Sequence, residues 1–552
     1  MSQTKTTDMT PVINLTRVSG TGPKRSQRPV YKDHLPPCNS ACPAGENIQA
    51  WMAHVQAGQY LAAWEALVRD NPMPAVHGRV CYHPCESHCN REELDSAVSI
   101  HAVERFLGDL ALESGWTLPI DTAPSGKRVL IIGAGPCGLS AAYHLTRLGH
   151  VVEIHDAGEL PGGMLHFGIP AYRMPRDILM REITRIEQLG VKIVLNHRVE
   201  DVLAEKQAGL FDAVLVATGA QLSRHVDIPE RDAAKVLDAV SLLKNAETRG
   251  TTLLGRRVVV YGGGNTAMDA ARTARRLGAT DTLIVYRRDR AHMGAHDFES
   301  DEAMAEGVKI KWLTTIREID GTNLKVELME LDKEGKPQPT GKTETLQTDA
   351  VILALGQNAD SGFLKKIPAI QFQPDGSMVI GANMMTDEPG VFGAGDLVPG
   401  ERSVTIATGQ GKKAAKHIDA WLNNVSCTAI DKHPTVTFSM LKLLIYSDAD
   451  PKKQSELAPN TRTGSFDEVM FGLSQRDAFQ EAQRCLSCGN CFECDNCLAA
   501  CPETAIIKKT IEPGYTIDLN RCTGCAVCFD QCPCHAIEMV AEPAVTSAAQ
   551  AL

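Results

Sequence analysis

The sequence predicts a multidomain α/β chain, on three observations. A strand, glycine-rich turn, helix and strand pattern occurs twice near the middle of the 552 residues. The eighteen cysteines crowd toward the two ends: five lie between Cys38 and Cys89, eleven between Cys485 and Cys534, and only Cys137 and Cys427 between these groups. A helical apolar period accompanies the N-terminal cysteines. The length exceeds what one hydrophobic core organises, so about three or four domains are expected. With 43% apolar and 22% charged residues the composition is that of an ordinary folded protein.

From the N-terminus, residues 1–30 are polar with no hydrophobic period and read as a mobile tail. The run IQAWMAHVQAGQYLAAWEALVRD has helical spacing and ends at NPMP, and AVSIHAVERFLGDLALE has it again, so residues 31–120 read as a small helical domain with its cysteines on the connections. The first nucleotide unit is SGKRVLIIGAGPCGLSAAYHLTRLGHVVEIHD and the second is GRRVVVYGGGNTAMDAARTARRLGATDTLIVYRRD. FDAVLVATG and DAVILALG flank the second, and VFGAGD follows. The expected order is therefore two interleaved Rossmann-like domains, one spanning 121–250 and 357–425 and the other inserted at 251–356. Residues 426–480 read as a linker, and 481–552 hold a cysteine pair followed by an α+β domain of the bacterial ferredoxin type.

A net charge of −11 argues against a nucleic-acid surface. No run of eighteen apolar residues and no signal-peptide core occurs, which places the expectation in the cytoplasm. Cysteines there stay reduced, so metal sites are expected rather than disulfides.

The C-terminal spacing is the most specific signal. Cys491, Cys494, Cys497 and Cys501 followed by Pro502 fit C-x2-C-x2-C-x3-C-P, and Cys522, Cys525, Cys528 and Cys532 followed by Pro533 fit it again. In such repeats the fourth cysteine ligates the other cluster. One 4Fe-4S site is thus assigned to Cys491, Cys494, Cys497 and Cys532, the other to Cys522, Cys525, Cys528 and Cys501. The alternative is a pair of structural zinc sites, which require neither the triple spacing nor the exchange.

In the first nucleotide unit Gly133, Gly135 and Gly138, with Pro136 in the same turn, open a helix after the strand RVLII, and Asp156 ends the next strand. Glycines let the backbone approach a pyrophosphate at the helix N-terminus, and the carboxylate accepts from a ribose hydroxyl. In the second, Gly262, Gly264, Asn265, Thr266 and Ala267 form the turn, and Arg287 and Arg288 stand where an NAD site carries an acid. Guanidinium groups suit the 2′-phosphate of NADPH, the alternative being a solvated charge run. ATG, with Thr218 and Gly219, and ALG, with Gly356, mark the crossings between the two units. No cysteine pair lies beside the first unit's motifs, so disulfide reduction is not expected, and Cys137 reads as packing.

The N-terminal stretch SACPAGENIQAWMAHVQAGQYLAAWEALVRDNP with GRVCYHPCESHCN resembles the iron-sulfur domain of glutamate synthase small subunits and of dihydropyrimidine dehydrogenase. The resemblance implies two 4Fe-4S clusters there, one with a non-cysteine ligand from the following helix. It gives one site to Cys42, Cys81, Cys85 and Glu104. The other reading of Glu104 is a solvated helix glutamate. The second cluster would keep Cys38 and Cys89; relatives supply its missing pair from an RCLxC segment just upstream, where this chain has HLPP. QRCLSC at the far end, with Cys485 and Cys488, looks like that pair displaced, so Cys38, Cys89, Cys485 and Cys488 are expected to join across the chain. The alternative leaves Cys485 and Cys488 as free thiols. GVFGAGD, with Gly395 and Asp396, resembles the second flavin motif of disulfide-reductase-like flavoproteins, and PGGMLHFGIPAYRMP, with Gly163, resembles the flavin-proximal segment of glutamate synthase small subunits. The first unit is therefore expected to bind FAD.

NADPH carries electron pairs and iron-sulfur clusters single electrons, and a flavin handles both. No nucleophile–base constellation stands out. The expected activity is an NADPH-dependent flavin iron-sulfur oxidoreductase with about four clusters. It would exchange electrons with ferredoxin or a partner of the 2-oxoacid:ferredoxin oxidoreductase type. The alternatives are a glutamate synthase small subunit serving a separate large subunit, and a non-enzymatic electron-transfer scaffold.

Overall fold

In the computed structural model the described residues are 25–120, 122–224, 228–231, 235–248, 253–427, 433–443, 446–510 and 512–543. Helices Ile48–Gln56, Tyr60–Val68, Pro74–Val80 and Ile100–Ser114 bury Trp51, Met52, Trp64, Leu67 and Leu107 in one core. NPMP ends one helix and also starts the next, with Pro74 at its first turn, where a missing N–H costs nothing. Two glycines let helices Pro74–Val80 and Ile100–Ser114 pack backbone to backbone: a Cβ at Gly108 would lie 2.3 Å from Ala75 N, and one at Gly78 2.4 Å from Arg105 Cβ. This close pair fixes Cys81, which follows the first helix, relative to Glu104 on the second.

The first nucleotide unit is a five-stranded parallel sheet in the order Val391–Gly393, Ala213–Val216, Arg128–Ile132, Val151–His155, Lys192–Val194. Ile132 is in register with both His155 and Val216, so Gly133, Asp156 and Ala217 emerge together at the carboxyl edge. The second sheet, also parallel, runs Lys309–Lys311, Asp281–Val285, Arg257–Tyr261, Ala350–Leu353, Lys235–Asp238. Its edge strand Lys235–Asp238 and the helix Ala239–Thr248 belong to the second unit, whereas the sequence reading began that unit at 251. The reason is tertiary: KVLD pairs with Ala350–Leu353, and Leu242 packs into the second core. Antiparallel pairing of Leu222–Ser223 with Gln357–Asn358 joins the two units at their crossing.

Two further expectations change. Residues 27–31, partly assigned to a mobile tail, form the strand Gln27–Tyr31, paired antiparallel with Ile537–Ala541; the rest of the tail, 1–24, lies outside the described residues. The stretch expected as a linker is a strap over the helical domain. Arg91 donates to Ser447 O at 2.9 Å, and Asp95 accepts from Ala449 N at 2.9 Å. Glu468 pairs with Arg79 and Arg105, and the strap's last helix, Gln475–Gln483, packs on Ile48–Gln56 and Ile100–Ser114. Among the described residues no helix is long and apolar enough to cross a membrane.

Candidate functional site: thiol quartets beside two nucleotide cradles

Three of the four expected thiol sets line a cavity each. Cys491, Cys494, Cys497 and Cys532 line one, together with Tyr31 and Cys534. Cys501, Cys522, Cys525 and Cys528 line a second. The fourth cysteine of each run thus faces the other run's three. Backbone amides aim at sulfur, Ala505 N at Cys501 Sγ (3.3 Å) and Ala536 N at Cys532 Sγ (3.2 Å), and the Tyr31 hydroxyl lies 3.2 Å from Cys497 Sγ.

The third cavity is lined by Cys38, Cys89, Cys485 and Cys488 with Ile48, Met52, Val98, Ile100 and Leu486. Burial pushes Cys485 up to about 12 and Cys488 up to about 11; the Cys488 and Cys89 thiols add to the first, and Cys89 adds to the second against the Asn90 hydrogen bond. Four sulfurs so placed resist ionising one another, and a cationic metal core would reverse that. A buried charge network holds the QRCLSC segment here. Arg484 pairs with Glu481 (2.6 Å) and Asp95 (2.9 Å), and Arg91 pairs with Asp95 (2.6 Å) and donates to Arg484 O.

Cys42, Cys81 and Cys85 form the remaining group. Burial is the main cause raising each thiol, and Glu104 adds to Cys42 and Cys81, the latter reaching about 12. Glu104 is buried rather than solvated. Burial and then Glu46 raise it well above the usual carboxylate range. Asn71 Nδ2 donates to both Glu104 (2.8 Å) and Glu46 (3.0 Å), and ligand atoms of Glu46, His77 and Glu104 lie within 4.8 Å of one another. The sequence reading missed Asn71, Glu46 and His77, because nothing in their spacing marks them. His77 Nε2 meets Thr408 Oγ1 at 3.0 Å on helix Val404–Leu422, and a Cβ at Gly409 of that helix would lie 2.0 Å from Pro43 O. This helix also packs on Pro136–Arg147, the helix opened by the first glycine turn, so the thiol group abuts the first nucleotide cradle.

That cradle is built by backbone contact. Gly133 has φ 113°, and a Cβ there would lie 2.4 Å from Ala217 O; one at Gly138 would lie 1.9 Å from Gly133 O. Gly135 caps the helix ahead of Pro136, with nothing within 4 Å of a Cβ, and a Cβ at Gly163 would lie 3.0 Å from Gly135 Cα. Asp156 accepts from Ala134 N (2.7 Å) and Gly158 N (2.6 Å). Thr218 Oγ1 is buried without a hydrogen-bond partner, beside Gly219, whose Cβ direction is open. Gly395, at φ 74°, approaches Cys137, and burial raises Asp396 to about 6 against the pull of Arg402. The open helix N-terminus, the orphaned hydroxyl and the Cβ-free walls fit a dinucleotide.

In the second cradle a Cβ at Gly262 would lie 2.2 Å from Ala354 O, and Gly264 caps helix Asn265–Arg276 with open space before it. Ala267 is buried against the sheet, and Thr266 is half-exposed. Asn265 commits its side chain to Tyr82 Oη (2.6 Å) and His296 N (3.2 Å), tying this turn to the loop of Cys81. Arg287 is exposed; Arg288 is half-buried with an unpartnered Nε, which fits a phosphate. Gly356, at φ 101°, lies at the crossing beside Arg224. Arg173 clamps the two units together through Asp269 (2.8 Å) and Glu299 (2.6 Å).

Residues 127–411 match the family described as pyridine nucleotide-disulphide oxidoreductase, and residues 24–116 match dihydropyrimidine dehydrogenase domain II, 4Fe-4S cluster. The chain is 36% identical to the NADP(+)-dependent formate dehydrogenase subunit beta of Moorella thermoacetica, over 82% of this chain and 70% of that one. It is 31% identical to the NADPH-Fe(3+) oxidoreductase subunit beta of Geobacter sulfurreducens, over 82% and 75%. It is 32% identical to the glutamate synthase [NADPH] small chain of Azospirillum brasilense, over 70% and 86%. The chain belongs to the pyridine nucleotide-disulphide oxidoreductase family and is an NADPH-dependent flavin iron-sulfur oxidoreductase.

Proposed function

We propose that this chain passes electrons between NADPH and a one-electron partner, a ferredoxin or a partner oxidoreductase subunit, through FAD and four 4Fe-4S clusters. Cys491, Cys494, Cys497 and Cys532 hold one cluster, and Cys501, Cys522, Cys525 and Cys528 a second. Cys38, Cys89, Cys485 and Cys488 hold a third; Cys42, Cys81, Cys85 and Glu104 hold the fourth. When bound, NADPH supplies a hydride, FAD exchanges an electron pair for single electrons, and the clusters carry electrons singly. The observation that carries the reading is that each all-cysteine quartet lines its own cavity, while the set containing Glu104 adjoins the flavin cradle.

The chain's own groups have definite tasks. Gly133, Gly135 and Gly163 admit the flavin pyrophosphate to the helix N-terminus, and Asp156 orders the turn and offers a carboxylate toward a ribose. Arg287 and Arg288 receive the 2′-phosphate that distinguishes NADPH from NADH. Amides at Ala505 and Ala536 steady the thiolates, and the apolar walls around Cys38 and Cys89 keep water away.

A partner subunit is supported by the relatives named as beta subunits and small chains. Resemblance to a glutamate synthase small chain over 70% of this chain supports the second reading, service to a separate synthase subunit. Anaerobic isolation of the native complex with iron and flavin quantification tests the proposal. About sixteen irons per FAD are expected, and about twelve would remove the end-to-end cluster. NADPH should bleach the flavin faster than NADH does. The co-purifying chain decides between the two readings.

A further inference from the structure

Behind Asp156 stands a polar cluster that the electron-transfer reading does not use. We propose that His155 Nδ1, His197 Nε2 and Glu205 Oε1 bind one zinc-class divalent cation. Glu153 Oε1 lies 2.9 Å from His155 Nε2 and is itself paired with Lys192 at 2.8 Å, with Arg128 3.9 Å from its second oxygen. A carboxylate flanked by two cations stays ionised, so it accepts a hydrogen bond from the Nε2–H of His155. The imidazole's other nitrogen, Nδ1, then presents a lone pair. That atom is buried, makes no hydrogen bond, and yet lies 3.0 Å from Glu205 Oε1, another lone-pair atom. His197 Nε2 is 3.0 Å from the same oxygen. A proton can bridge each of these contacts, as it does in the His197–Glu205 hydrogen bond; the convergence of two imidazole nitrogens on one carboxylate oxygen is what a single metal cation would replace.

The geometry suits zinc. A tetrahedral ion with bonds of about 2.0–2.1 Å sets its ligand atoms about 3.3 Å apart, and all three ligand atoms here lie within 4.8 Å of one another. Two imidazoles and one carboxylate favour zinc over magnesium or calcium, which take oxygen. Glu153 completes the carboxylate–histidine–metal arrangement that orients a ligating imidazole. His197 and Glu205 are part-exposed, which leaves an entry path and a coordination position for water. The three ligands come from strand Val151–His155, the loop whose His197 N donates to Asp156 O at 2.8 Å, and helix Val202–Ala208. A cation would staple these pieces behind the loop that carries Asp156.

The holoprotein, equilibrated anaerobically with zinc sulfate and desalted, is assayed for zinc and iron separately, and crystals are measured at the zinc absorption edge. One zinc per chain is expected at this cluster with iron unchanged. It should be lost in His197→Gln and Glu205→Gln, both part-exposed positions, and weakened about 10- to 100-fold in Glu153→Gln. No retained zinc, equal retention in the two ligand variants, or zinc gained only as iron is lost would overturn the site.

Discussion

Two kinds of cysteine quartet stand in this chain, and they are specified differently. The two C-terminal sets draw all eight sulfurs from Cys491 to Cys532, a short stretch whose repeat imposes the ligand geometry. The bridging set draws Cys38 and Cys89 from one end and Cys485 and Cys488 from the other; Asn90 Nδ2 reaches Cys488 Sγ at 3.5 Å across 398 positions. Local spacing suffices for the first kind. The second depends on everything that carries the far end back: the strap, helix Gln475–Gln483 and the Arg91–Asp95–Arg484–Glu481 network. A metal bound there would also couple the two ends of the chain, since binding energy at such a site is folding energy.

Removing the sulfurs breaks the comparison most severely. Cys485→Ser with Cys488→Ser should lower iron by about four per chain, leave the iron of the two C-terminal quartets in place, and expose residues 446–483 to limited proteolysis. Unchanged iron would show that the bridging set holds no cluster. Next in size is Arg484→Met. It leaves Glu481 and part of Asp95 buried without their partner, a loss of about 3–5 kcal/mol for a broken buried pair. Denaturant unfolding should show that loss, with iron declining from the bridging site before the C-terminal ones.

A smaller effect is expected around Glu104, the proposed non-cysteine ligand. Asn71→Leu deprives Glu46 and Glu104 of their shared donor while keeping the volume similar, and should cost about 1–3 kcal/mol for unsatisfied buried acceptors. Its specific signature is a changed electron paramagnetic resonance spectrum of one reduced cluster, with the signals of the all-cysteine sites unaltered. A loss of stability without that spectral change would make Asn71 a packing residue only.

The same contrast explains what was legible in the sequence. Cys491 to Cys532 and the glycines of both turns could be read directly, because a cluster or a pyrophosphate dictates spacing over a few residues. Glu104 and the Cys485–Cys488 pair came only through family resemblance, since their partners are distant in sequence. Strand Gln27–Tyr31 was hidden for that reason: QRPVY has no period, and its ladder partner is Ile537–Ala541. Lys235–Asp238 escaped because four residues cannot announce which of two sheets they will join. Asn265 sits in the nucleotide turn, yet its side chain faces Tyr82, a contact that only the packing of domains creates.

The middle of the molecule should differ from both ends in being held without metal, and pH offers the finest test. His144, on helix Pro136–Arg147, is buried against the helical domain, with Nε2 3.3 Å from Asp70 O. Burial, then Lys412 and Arg147, lowers it to about 3 from an ordinary 6.5. Between these values the unfolded chain binds the proton and the folded chain does not, so stability falls as pH drops below 6.5 and is level above it. The slope approaches about 1.4 kcal/mol per pH unit, which makes the loss between pH 6.5 and 5.5 about 1 kcal/mol. His144→Gln should flatten this segment of the stability curve. The flattening should be the same in iron-loaded and iron-chelated protein, because the cause is local burial beside the first nucleotide cradle. If chelation alone abolished the slope, the helical domain would depend on its metal even at this contact, and the division between a metal-held end and a packing-held middle would not stand.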